Sequence, residues 1–224
     1  MHIHLPKPIH GWREFCNEVG IIVIGVLLAL GAEQVVERLS WRAEVREASE
    51  DLHVELQDSL FTSTERVRLK DCIDRQLDQV DAIVDRPPTE RWNFVTAQPL
   101  RIWSSAAWDS AIASGAVAHM KGEQRADFTS IYAAVRTLRA LNGEEFKIRA
   151  ELSTVGRGGP FSETMRDRLH ADVAQLKAYN RLIALAASQL HDSIAEAGIS
   201  MRPEDVKILN GQKCLPVGPG THAP

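Results

Sequence analysis

The sequence predicts an all-α protein. An N-terminal transmembrane helix continues into a long stalk helix, against which three further helices pack in an elongated four-helix arrangement. Three observations lead there. Residues 19 to 32 form an uncharged block, "VGIIVIGVLLALGA". No Gly or Pro then interrupts the chain between Ala32 and Arg86, and apolar residues recur there at steps of three and four. Finally, no stretch shows the period-two alternation of a half-buried strand.

The totals agree with an ordered chain. It has 224 residues, 44% apolar and 25% charged, enough for one packed domain plus appendages. The net charge of −4, from 26 basic and 30 acidic residues, gives no basic cluster of the kind that binds phosphate backbones, so nucleic acid is not an expected partner.

The first element is the apolar block. Fourteen residues make a helix of only ~21 Å, short of a ~30 Å hydrocarbon core. Extended from Phe15 to Val36, the helix reaches roughly 33 Å, and Asn17, Glu18, Glu33 and Gln34 lie near its ends, where side chains can reach headgroups. Trp12 and Trp41 bracket it at roughly 43 Å along one helix, suited to the two interfaces. A signal peptide is the second possibility, with Lys7 and Arg13 as its basic region and Ala29-Leu30-Gly31 as the cut. Glu14 and Glu18 put negative charge in that region, and helical patterning continues past the cut. A core helix, the third, would need strongly apolar neighbours on all sides. The span is the expectation, giving a tail at 1–14, a transmembrane helix at 15–37, a helical domain at 38–198 and a mostly disordered tail at 199–224. Gly25, Ala29 and Ala32 line one face of the span at steps of four and three, a pattern that allows close helix approach in lipid and is also ordinary span composition. Glu18 and Glu33 are the ionisable groups at its rims.

The stalk follows, with Val45, Ala48, Leu52, Leu56, Leu60, Ile73, Leu77, Val80 and Val84 on one stripe and Pro87-Pro88 as its stop. Ser59, Ser63, Arg66 and Lys70 fall on the same stripe, so packing against other helices of the chain is expected more than a pure dimeric coiled coil. Glu47, Glu50, Asp51, Glu55, Asp58 and Glu65 form an acidic band, expected to be a solvated face. Pro87 to Pro99, with Trp92 and Phe94, is an expected loop. A second helix is expected from Leu100, placing Ile102, Trp103, Ala106, Ala107 and Ile112 on one side, Trp108 on a flank and Gly115 at the stop. Trp103 and Trp108 either pack in a core or line a pocket.

A third helix is expected over about 122–155, with Phe128, Ile131, Tyr132, Val135, Leu138, Phe146 and Leu152 apolar and a possible break at Asn142-Gly143. The fourth, capped by Ser162 and ended by Gly198, carries the most regular seam: Leu169, Val173, Leu176, Ile183, Ala187, Leu190 and Ile194.

No catalytic motif is present, and no Cys/His spacing suits a metal, so no cofactor or enzymatic activity is expected. His2, His4 and His10 cluster without a fourth ligand. Of the three cysteines, Cys72 and Cys214 could pair if the domain faces an oxidising compartment, or could remain two thiols.

"EVGIIVIGVLLALGAEQ" resembles the anchor of a group of uncharacterised single-span bacterial membrane proteins. Val23-Ile24-Gly25-Val26-Leu27-Leu28-Ala29-Leu30 is similar to their apolar block and Glu18 to their acidic position; the Trp that soon follows in that group stands here at Trp41. "SGAVAHMKGEQRADFTSIY" is similar to a second segment of theirs. The resemblance implies a helical protein anchored in a bacterial inner membrane and brings no activity. Lys7 and Arg13 before the span nearly balance Arg38, Arg42 and Arg46 after it, and common single-span insertion favours a cytoplasmic N-terminus with a periplasmic domain. The functional expectation is a self-associating scaffold or accessory protein, with lipid and like chains or a membrane protein as partners. The alternative is a sensor binding a small ligand near Trp103 and Trp108.

Overall fold

The computed structural model describes residues 11–87, 101–214 and 217. The expected Trp92 and Phe94 loop and the His2, His4 and His10 cluster lie outside the described residues. The described residues are helical, without strands: α1 Trp12–Asp85, α2 Ala106–Ser114, α3 Ala116–His119, α4 Gly122–Leu152, α5 Glu163–Glu196 and α6 Pro203–Gly211, with a 3-10 turn at Ser153–Arg157 after α4. The chain divides into two compact units, Met1–Glu47 and Ala48–Pro224.

In the first unit the structure holds the opening of α1, whose helix starts at Trp12 and not at Phe15. The helix is long and apolar enough to cross a membrane, and none of its most apolar window is buried. Ile21, Leu27 and Leu28 are each more than 60% exposed. A core helix of this chain would be covered by its neighbours, and among the described residues this window is not.

The second unit is built on the rest of α1. From Leu52 to Val84 its stripe turns inward against α4 and α5. Leu69, Ile73, Leu77, Val80 and Val84 meet Leu152, Val155, Leu169, Val173 and Leu176 in one cluster. Each fully buried aliphatic side chain contributes about 1.5–3 kcal/mol. α5 behaves as its pattern dictates. The Ser162 hydroxyl accepts from the Met165 N–H, every seam residue is buried, and Gly198 takes the left-handed φ of +78° that ends the helix. Between Leu176 and Ile183 the seam is completed by Asn180, which donates to the Lys70 carbonyl and to Asp74 Oδ1 at 2.8 and 2.7 Å.

Three elements differ from expectation. The helix expected from Leu100 begins only at Ala106, so helical spacing does not carry across residues 101–105. Ile102 and Ile112 are therefore exposed, whereas Trp103, Trp108 and Ala111 are buried. Gly115, at φ +85°, does stop α2. In α4 there is no break at Asn142-Gly143. Phe146 is exposed because Glu145, seven residues after Leu138, takes the inward position. Residues 199–224 are not mostly disordered as far as they are described: Pro203 opens α6, Glu204 and Asp205 occupy its first turn, and Asp205 and Leu209 are buried. The pairing left open by the sequence is decided by the structure: Cys72 and Cys214 form a disulfide, while Cys16 is a free, exposed thiol.

Candidate functional site

The middle of α1, weakest in apolar content, is its most enclosed part. Between Ser59 and Arg66 only Thr64 is not buried. A belt of polar partners makes this possible, because a buried polar group is tolerable only when paired.

Glu55 opens the belt. Its Oε1 accepts from the Tyr132 hydroxyl at 2.8 Å; its Oε2 accepts from the Ser104 hydroxyl at 2.6 Å and the Ala107 N–H at 3.1 Å. The last bond satisfies a free amide in the first turn of α2, where a negative charge is also favoured by the helix dipole. Burial, followed by the bond to Glu55, pushes the Tyr132 phenol far above its ordinary value, so it stays a neutral donor. Trp108 stacks on Tyr132 at 5.1 Å between centroids. About two turns further along α1 from Glu55, the Trp103 indole N–H donates to the Ser63 hydroxyl at 3.0 Å.

Glu65 is held by Arg101, through Nε at 2.9 Å and Nη2 at 3.4 Å, and by the Gln212 amide at 2.8 Å. The Arg101 guanidinium lies 5.0 Å from the centre of the Phe61 ring. On the adjoining side Arg66 Nη2 donates to Glu145 Oε1 at 2.8 Å, and Arg149 donates twice to the same oxygen. Burial outweighs these partners and holds the Arg66 guanidinium below its usual range.

The acidic band thus divides. Glu47, Asp51 and Asp58 are exposed, as a solvated face requires, but Glu55 and Glu65 are internal. Sequence spacing could not separate them, since their partners stand 36 to 147 residues away. The signal that was available is the placement of Ser59, Ser63 and Arg66 on the apolar stripe.

The tryptophans form a filled core, at 2% and 3% exposure for Trp103 and Trp108. The cavity beside Trp103 measures about 20 Å³. A larger recess of about 420 Å³ lies elsewhere, among Ser49, His53, Lys121, Asp127, Phe128 and Ile199. Among the described residues no group of three or more His, Cys, Asp or Glu is placed to hold a metal ion.

Set beside known protein families, curated proteins and solved structures, the chain matches none.

The residues of the candidate span stand apart from this belt in sequence. Gly25, Ala29 and Ala32 are on α1, and a Cβ added at Gly25 would meet nothing within 4 Å. Glu18 and Glu33 are exposed; Trp12 is exposed and packs its ring 5.8 Å from that of Phe15; Trp41 is half-buried.

Proposed function

We propose that this chain is a non-enzymatic, membrane-anchored helical scaffold or accessory protein that associates with itself through its span. The observation that carries this reading is the wholly unburied apolar window of α1, followed by a separately packed helical unit. Apolar surface of that extent favours lipid over water. The side of the membrane is supported by Cys72–Cys214, because structural disulfides persist in oxidising compartments. A cytoplasmic N-terminus and a periplasmic helical unit, in the inner membrane of a bacterium, fit that chemistry and the resemblance of the anchor. The filled core around Trp103 and Trp108 favours the scaffold over a sensor with its ligand there. A sensor would have to use the recess near His53 and Lys121 instead.

Two measurements test the proposal. Alkaline washing of membranes should leave the chain in the pellet; release into the wash would remove the anchor. In a membrane self-association assay, Gly25→Leu should weaken pairing about tenfold, as expected where close backbone approach carries the contact. An unchanged signal would remove this face as the interface.

A further inference from the structure

Past Glu33, at the rim of the candidate span, α1 remains two-faced. Glu33, Gln34, Glu37, Arg38 and Glu44 share one side of the helix. Val36, Leu39 and Ala43 take the other, at steps of three and four, and all three are exposed, Val36 at 66% and Leu39 at 56%. An apolar stripe opposite a charged one is the pattern of a helix that covers one face. Traced toward the N-terminus, the same alternation of steps runs through Ala32, Ala29, Gly25 and Ile22, so one heptad seam extends unbroken from Ile22 to Ala43. It ends where Arg46 and Glu50 take the next two positions. Steps of four alone would give a right-handed crossing that diverges after a few turns; alternating three and four keeps two helices together in a left-handed supercoil.

The charges beside the seam identify the occupant. Arg42 lies immediately before Ala43 on one flank, and Glu47 lies on the opposite flank; both are exposed. In a parallel two-stranded coiled coil, a side chain on the first flank meets the partner's residue five positions further on. Five positions after Arg42 is Glu47, so two copies in register place opposite charges together, twice by symmetry. Copies that share one membrane orientation are parallel of necessity. We propose that this face is covered by a second copy of the chain, in a parallel, left-handed coiled coil that runs from the span to Ala43 and is closed by two Arg42–Glu47 ion pairs between copies. The proposal rests on the self-association argued above and adds its direction, register and length.

The test uses the full chain in native membranes, with Cys16→Ser removing the free thiol. Val36→Cys, Glu37→Cys, Arg38→Cys, Leu39→Cys and Ala43→Cys are made one at a time and oxidised with copper phenanthroline. The expected result is strong disulfide dimers from Val36→Cys, Leu39→Cys and Ala43→Cys and weak ones from Glu37→Cys and Arg38→Cys. Arg42→Glu and Glu47→Arg should each weaken association about fivefold, and the two together should restore it. Restoration requires that the two side chains meet across copies, which a merely structural role for either would not produce. A flat cross-linking profile, a double exchange no better than either single one, or adducts with a different protein at the seam positions would overturn the proposal. If Gly25→Leu weakens pairing while the profile is flat, the contact in the span stands and its extension to Ala43 falls.

Discussion

Glu55 gathers three donors from three places in the chain, and each is within 3.1 Å. Such a group specifies geometry more than it adds stability, because its bonds first offset its own dehydration. Tyr132→Phe removes one donor while leaving the aromatic stack on Trp108. The expected loss is about 1–3 kcal/mol of unfolding free energy, read by chemical denaturation. Combined with Glu55→Gln, the losses should be less than additive; strict additivity would mean that the two side chains do not act together. His170 offers a second, pH-dependent test. Its Nδ1 faces Asp81 at 2.7 Å and its Nε2 faces Asp85 at 3.1 Å. The bond to Asp81 chiefly, opposed by some burial and helped by Asp85, raises the imidazole above its ordinary value of 6.5. The folded state therefore favours the protonated form. Its contribution is complete below about pH 6.5 and fades as pH climbs through the raised folded value. Denaturation midpoints of His170→Gln should lack this fall; a wild-type curve of the same shape would remove the imidazolium from the account.

At the scale of elements, α1 and the C-terminal segment are the pair that matter. Ser200, Arg202, Asn210 and Gln212 are bonded to Gln57, Asp58, Arg68 and Glu65, and Val217 N–H donates to Gln79, so this segment follows α1 along most of its buried length. The disulfide then closes a loop across 142 residues. Loop-closure entropy alone assigns such a link about 5 kcal/mol, and loss of a native disulfide commonly costs about 2–5 kcal/mol. Cys214→Ser should lower stability within that range and speed hydrogen exchange across α6 before α5; unchanged exchange in α6 would show that the polar ties suffice. The sequence disclosed these elements unevenly. The α5 seam was legible because Leu169 to Ile194 hold one spacing throughout. The buried belt was not, because Glu55, Glu65, Arg66 and Glu145 become internal only through hydrogen-bond and charge partners on distant segments. α6 was legible locally, through Pro203 and the acids that follow it, but the Pro and Gly content of the whole tail obscured that signal. The disulfide had no local mark at all.

At the scale of the molecule, the proposed reading is that one chain joins two units that face different solvents. The helical unit follows the ordinary rule of apolar side chains inside and paired polar groups among them. The opening of α1 inverts it, with Val, Ile and Leu outward over the window between Glu18 and Glu33. On that proposal lipid and oxidation are linked requirements, since a chain anchored with its N-terminus in the cytoplasm would deliver Cys72 and Cys214 to the side where they can pair. Protease added to intact spheroplasts tests this most directly. The account predicts that the helical unit is digested while a short, membrane-bound N-terminal fragment survives. A chain that stays whole until the membrane is permeabilised would contradict it.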